Sequence, residues 1–142
     1  MFKVNLSITS ANLEKKLQLI EEIMSSGIIL DTATAMLLNR VRTRFLAETD
    51  PQGKPWVPSK AGQRRRAKGG TGTLFDTGRL FYSIQASGEG PDIRYLGTDV
   101  PYAKYHQGPE ARVERTFLGI GDNDAQLLER FLQRRLDQLL AQ

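Results

Sequence analysis

Residues 30–45 read LDTATAMLLNRVRTRF, and apolar or small side chains recur in this stretch at three- and four-residue steps. The recurring positions are Leu30, Thr34, Leu37, Val41 and Phe45. This spacing predicts a helix with one buried face. Three arginines lie off that face: Arg40, Arg42 and Arg44. We expect the helix to follow Gly27 and to end near Asp50-Pro51, because proline disfavours helical backbone in the residue before it.

The chain on either side of this helix has clear periodicity. Residues 2–9 alternate apolar and polar side chains, which is typical of a strand with one buried face. Residues 11–26 repeat leucine, isoleucine and methionine at helical spacing, and they predict a first helix. From Asp122, which we expect to be the N-cap, a wide apolar face continues to the C-terminus and predicts a last helix.

The middle of the chain has shorter elements. Turn residues surround two apolar stretches within 79–98, and we interpret these as an antiparallel hairpin. Residues 100–107 predict a helical turn after Pro101, and 112–120 predict a third strand. The sequence therefore indicates an α+β fold in which two or three helices pack on a small, mainly antiparallel sheet. A length of 142 residues fits a single domain over 1–142.

Composition limits the possible chemistry. The chain has no cysteine and one histidine, which excludes disulfides and thiolate metal sites and leaves few ligands for zinc or haem. We expect no cofactor and no metal. The N-terminus lacks a secretory pattern, and no apolar run approaches the roughly 20 residues that span a bilayer. We therefore expect no membrane contact and synthesis in a cytoplasm.

Positive charge is concentrated in one segment. The net charge of the chain is +4, yet residues 51–70 carry six cations and no acidic residue. The segment 51–73 also contains three prolines and several glycines without a sustained apolar period, which predicts a long, flexible basic arm. It can contact DNA or another subunit, or it can be a solvated, self-repelling loop. The candidate contact residues are Trp56, Lys60, Arg64, Arg65, Arg66 and Lys68.

Two groups could be proposed for catalysis. His106 is the one residue of a type whose unperturbed pKa lies near neutrality, and Asp99 or Glu110 could orient it. A lone histidine among aromatic residues is more often structural. The tripeptide Asp76-Thr77-Gly78 also occurs in aspartic proteases, whereas here it precedes a predicted hairpin and fits a turn. We therefore expect no enzymatic activity.

An ordered set of short motifs does more than charge to indicate a family. Trp56-Val57-Pro58-Ser59 with the basic tract is followed by Leu74-Phe75-Asp76-Thr77-Gly78-Arg79-Leu80. Then come Gly97-Thr98-Asp99, Tyr102-Ala103, His106-Gln107-Gly108, and Arg115 with Phe117-Leu118-Gly119. From about Phe45 onward, this succession resembles the phage virion morphogenesis family, which includes tail completion proteins of Mu-like and P2-like phages. Family members often carry Pro-Arg before Phe-Leu-Gly, where this chain has Glu114-Arg115-Thr116.

The resemblance implies a structural subunit of the neck or tail end of a virion. Such a subunit is assembled in the host cytoplasm, forms a homo-oligomeric ring and contacts other neck or tail proteins. Trp56 is then a candidate interface anchor, although a core residue that covers one end of the sheet is an equal interpretation. A non-specific nucleic-acid-binding protein that uses the basic segment is the alternative function. The motif residues expected to be structural are Asp76, Gly78, Tyr102, His106 and Gly108.

Overall fold

The computed structural model describes residues 17–18, 21 and 27–141, and these form an α+β fold. Its elements in chain order are helices α1 (Ile28–Ala47), α2 (Lys60–Ala67) and α3 (Arg79–Ser83), strands β1 (Gln85–Glu89) and β2 (Ile93–Gly97), a 3₁₀ helix (Pro101–Tyr105) and helix α4 (Asp122–Leu140). The strand predicted at 2–9 lies outside the described residues. So does most of the helix predicted at 11–26, of which residues 17, 18 and 21 are described and helical.

Helix α1 confirms the prediction from its apolar spacing. All five recurring positions are buried, and the helix ends at Ala47 because Glu48 adopts a left-handed conformation with φ 59°. Arg44 lies off the predicted apolar face and is nevertheless buried, since this side chain is 8% exposed. It is buried because its guanidinium group pairs with the carboxylate of Asp124 and donates to the Gly119 carbonyl at 3.0 Å.

The main core surrounds Phe45 at the C-terminal end of α1. Its ring contacts Trp56, Phe81 and Phe117 edge-on, with centroids 5.4, 5.5 and 5.7 Å away. These partners come from three separate segments, so one aromatic side chain joins much of the chain. The buried cluster consists of Val41, Phe45, Trp56, Leu80, Phe81, Ile84, Val100 and Phe117.

The predicted hairpin is confirmed, but its first strand is shorter than expected. Strand β1 pairs antiparallel with β2 from Gln85↔Gly97 to Glu89↔Ile93, whereas residues 79–83 form α3. Leu80 and Phe81 are both buried, as adjacent positions on a helical turn can be and adjacent positions on a one-faced strand cannot. The prediction that the hairpin begins at residue 79 is therefore wrong.

The predicted third strand at 112–120 is wrong, because a side chain takes the place of a partner strand. Gln107 accepts hydrogen bonds from the backbone N–H groups of Phe117 and Leu118 at 3.1 and 3.0 Å. Its amide nitrogen donates to the Leu118 carbonyl at 2.9 Å. Some of the backbone N–H and C=O groups of this segment thus have hydrogen-bond partners although the segment does not join the sheet.

Helix α4 confirms the last predicted helix, although its N-cap is Gly121 and not Asp122. Leu128 packs against Ala33 and Leu37 of α1 in a second buried cluster. Leu139 is also buried, and the rest of the predicted apolar face is half-buried. Within the part of the chain that the structure describes, no helix has the length and apolar character needed to cross a membrane.

The first turn of α4 is joined to α1 by a buried carboxylate. Asp124 is 0% exposed, and it accepts from the Gly121 N–H at 2.9 Å and from Arg40 Nε at 2.8 Å, besides its contact with Arg44. Burial alone would raise the pKa of Asp124. The hydrogen bonds from Gly121, Arg40 and Arg44 outweigh burial and lower it.

The segment 51–73 lies against this body in the structure. Trp56 is buried, and Gly62 of α2 sits so close to Thr73 that an added Cβ would lie 2.7 Å from the Thr73 nitrogen. Glu48 accepts from the Thr73 N–H and pairs with Arg66 at 2.8 Å, and these contacts lower its pKa although burial opposes them. The flexibility of the arm stays a prediction. In this conformation the arm contacts the rest of the fold through Trp56 near its start, Arg66 in its middle and Thr73 at its end.

Candidate functional site

The basic residues predicted as contacts lie on two sides of α2. Ser59 caps the helix by accepting from the Gly62 N–H at 2.9 Å. Four of the predicted cations are exposed: Lys60, Arg64, Arg66 and Lys68. The fifth, Arg65, is half-buried on the side that faces the body, where its Nη2 donates to the Gly72 carbonyl at 2.7 Å. The basic tract therefore has an outer face and one inward cation.

Trp56 does not lie with these cations. Its side chain is 6% exposed, and its indole N–H donates to the Thr116 carbonyl at 2.9 Å. The interpretation of Trp56 as a core residue accounts for this position. In this conformation the ring is not accessible to a partner or to a nucleic-acid base.

The inward side of α2 forms one wall of an open cleft of about 460 Å³, which we call the arginine cleft. The other walls are the turn before α3, the 3₁₀ helix and Arg115. The cleft brings together Arg65 and four of the predicted motif residues: Asp76, Gly78, Tyr102 and His106. Its remaining lining residues are Ser59, Ala61, Leu74, Thr77, Arg79, Leu80 and Arg115.

A tight turn shapes the floor of the cleft. Leu74 and Gly78 both have left-handed backbone, with φ of 62° and 87°. A Cβ on Gly78 would lie 2.8 Å from the Tyr82 ring, so glycine is needed there for both conformation and packing. The Thr77 hydroxyl accepts from the Arg79 N–H at 3.3 Å. This turn starts α3 and places Asp76 and Arg79 on either side of Gly78.

The cleft has an excess of positive charge. Three guanidinium groups line it, from Arg65, Arg79 and Arg115, against the single carboxylate of Asp76. With His106 neutral, these groups leave a charge of +2. Arg115 is positioned by a 2.6 Å hydrogen bond from its Nε to the Val57 carbonyl, and the Arg79 guanidinium lies 5.7 Å from the centre of the Tyr102 ring. The arrangement favours an anionic group in the cleft.

His106 has a cationic neighbour. Burial lowers the pKa of His106, and the positive charge of Arg115 lowers it further, so the neutral imidazole is favoured. Glu110, one of the two carboxylates considered for orienting it, pairs instead with Lys104 at 3.3 Å. A general base is normally oriented by a carboxylate, whereas the charge that shifts the pKa of His106 is that of Arg115.

Gly108 is the predicted motif residue that lies outside the cleft. It has φ 99°, and its carbonyl accepts from the Ala111 N–H at 3.1 Å, so it turns the chain after the 3₁₀ helix. Arg79 and Arg115 are cleft residues that were not among the predicted contacts. Both occur in the ordered motifs, and that membership is the signal in the sequence that could have identified them.

Comparison with known proteins extends the resemblance seen in the motifs. The model of the phage virion morphogenesis family matches residues 10–137, which is most of the chain. No curated protein and no solved structure gives a significant match. The matched region includes α1, the whole basic segment, the arginine cleft and most of α4. The chain therefore belongs to the phage virion morphogenesis family and has a role in the assembly of phage virions.

Proposed function

We propose that this chain is a non-enzymatic structural subunit of the neck or tail end of a phage particle, acting in tail completion or head–tail joining. It assembles in the host cytoplasm through protein–protein contacts, binds other neck or tail proteins and forms a ring with copies of itself. The observation that carries the proposal is the family match over residues 10–137.

The exposed surface supports a function in protein–protein contact. Tyr82 is 70% exposed, Val57 61% and Tyr105 54%, although side chains of these types are usually at least partly buried. Tyrosine and arginine are enriched in the buried centres of protein interfaces. Tyr82 lies in α3 with Arg79, and the Arg79 guanidinium lies 5.7 Å from the centre of the Tyr102 ring, so this surface has the composition of an interface.

The proposal can be tested in the parent phage. Cryo-electron microscopy of the purified particle should show density for this chain at the head-proximal end of the tail or in the neck. A phage that lacks the gene should accumulate separate heads and tails, and a plasmid copy should restore joined particles. Complete, infectious particles without the gene, or particles whose neck and tail lack the chain, would contradict the proposal.

Non-specific binding of nucleic acid is the second candidate function, and the outer face of α2 favours it. Lys60 and Arg64 are exposed on α2, and the exposed Lys68 is its C-cap. These three cations recur at four-residue steps, close enough together to contact neighbouring phosphates. Trp56 is buried and offers no stacking plane. Affinity for duplex DNA should then fall steeply with salt. Replacing these three cations by glutamine should make the plot of log affinity against log salt less steep, by the amount expected for about three lost phosphate contacts. Affinity that the triple variant leaves unchanged excludes this function for α2.

A further inference from the structure

We propose that the arginine cleft of one copy binds the acidic tip of the β-hairpin of a second copy, so that copies associate head to tail. The inference rests on the proposed ring and identifies the contact that forms it. Three features of the described residues carry it: the charge and exposure of the hairpin tip, the separation of the tip from the cleft, and the anion-binding character of the cleft.

The hairpin tip is acidic and fully accessible. Every residue of β1 and of the turn through Asp92 is exposed, including Glu89 and Asp92. Among the described residues at this end, the cation Arg94 is buried and forms an ion pair with Asp31. The net charge of the tip is −2, from three carboxylates and one guanidinium: Asp31, Glu89, Asp92 and Arg94. This charge is opposite and equal to the +2 of the cleft.

The tip and the cleft lie at opposite ends of α1. At the N-terminal end, Arg94 donates to the Gly27 carbonyl at 3.4 Å and to the Gly90 carbonyl at 2.9 Å, which places the hairpin tip there. At the C-terminal end, Phe45 packs on Phe75 and Phe81, which flank the floor of the cleft. The helix between Gly27 and Phe45 is roughly 27 Å long at about 1.5 Å per residue. One molecule therefore cannot place its own tip in its own cleft, whereas a neighbour can.

The cleft has donors available for a carboxylate. Arg79 is exposed, and within the described part of the chain its side chain has a ring contact with Tyr102 but no ion pair. Arg65 adds its positive charge to the wall of the cleft, where its Nη2 is held by the Gly72 carbonyl at 2.7 Å. Asp76 opposes a polyanion more than it opposes one or two carboxylates. A peptide carboxylate therefore fits the cleft better than a nucleic-acid backbone does. The outer face of α2 is more cationic than the cleft and suits a nucleic-acid backbone better.

The two surfaces differ, so the contact is heterologous. Repeating a heterologous contact adds copies in one direction and closes into a ring when the rotation per copy permits. An opposite pair of charged surfaces at the two ends of a subunit also selects against head-to-head pairing, because like charges then meet.

Charge reversal at each end tests the contact in the full-length protein. We would make Arg79→Glu in the cleft and Glu89→Arg with Asp92→Arg at the tip, since all three side chains are exposed. Matched controls are Arg130→Glu and Glu129→Arg on the exposed side of α4. Sedimentation velocity should show that the wild type and both controls self-associate at about 0.05 M salt and dissociate at about 0.5 M. The cleft and tip variants should each associate about tenfold or more weakly.

Mixing the two variants is the decisive measurement. The mixture should regain association, because the intact tip of the Arg79→Glu protein meets the intact cleft of the double variant. A wild type that stays monomeric at low salt, a variant that associates as the wild type does, or a mixture without recovery would each overturn the inference. So would loss of DNA binding by Arg79→Glu with unchanged self-association, which would assign the cleft to phosphate. The position of the chain in the particle tests the proposed function separately, since a subunit can occupy the neck without this contact.

Discussion

Replacing Asp124 by asparagine should destabilise the protein strongly, because it removes a fully buried charge that two arginines share. The carboxylate accepts from Arg40 Nε at 2.8 Å and from the Gly121 N–H at 2.9 Å, and it contacts Arg44, whose side chain is also buried. Removing one partner of a buried ion pair typically costs about 3–5 kcal/mol. The asparagine oxygen can still accept from one donor, so we expect a loss of about 3 kcal/mol in the free energy of unfolding.

The magnitude is measurable by urea denaturation and by thermal unfolding. A loss of about 3 kcal/mol should lower Tm by roughly 6–12 °C for a domain of this size. Asp122→Asn is the matched control, since it removes an exposed charge from the same helical turn and should cost less than about 1 kcal/mol. If the two variants lost equal stability, the buried network would contribute nothing beyond the helix dipole, and the reasoning would fail.

The same substitution predicts a change in the response to acid. Because the pKa of Asp124 is lower in the folded protein than in the unfolded chain, its stabilising effect is complete above about pH 3.9. That effect is lost as the pH falls through the folded pKa. The stability of Asp124→Asn should therefore fall less steeply than that of the wild type in this acid range. Parallel pH profiles for the two proteins would contradict the assigned shift.

Three further substitutions test other parts of the fold. Gln107→Leu should cost about 1–3 kcal/mol, because it leaves backbone groups at 117–118 unpaired, and hydrogen exchange there should rise. The pKa of His106 is lowered, so stability should decline as the pH falls below about 6.5, and His106→Gln should flatten that part of the profile in urea titrations. Gly62→Ala should separate α2 from Thr73 and cost about 1–3 kcal/mol, with faster proteolysis within 51–73 than in the wild type. Unchanged protease sensitivity would show that α2 does not depend on this close approach.

The long elements could be predicted from the sequence because their periodicity reports burial directly. In α1 the predicted face from Leu30 to Phe45 is the buried one, and α4 likewise buries Leu128 and Leu139. The errors occur where burial has another cause. Arg44 is buried because it meets a carboxylate 80 positions away, and no local pattern contains that contact.

Short segments could not be assigned from alternation alone. Leu80 and Ile84 fit both a strand and a helical turn, and the left-handed backbone of Gly78 decides for the turn. Residues 112–120 were misassigned for a different reason, since the amide of Gln107 supplies the hydrogen bonds that a neighbouring strand would supply. A side chain that replaces a partner strand in this way leaves no periodic pattern in the sequence.

The basic segment contributes both exposed cations and a core residue. Deleting 51–73 would remove the exposed cations, but it would also remove Trp56 from the core, where truncating a large aromatic costs about 3–5 kcal/mol. Loss of function after such a deletion would report unfolding and not a lost contact. Single substitutions avoid this problem. Arg64→Gln changes the outer face, whereas Arg79→Glu changes the cleft, and both side chains are exposed and outside the core cluster. A phage that tolerates the first substitution and fails to assemble with the second would assign assembly to the cleft and leave the outer charges for another partner.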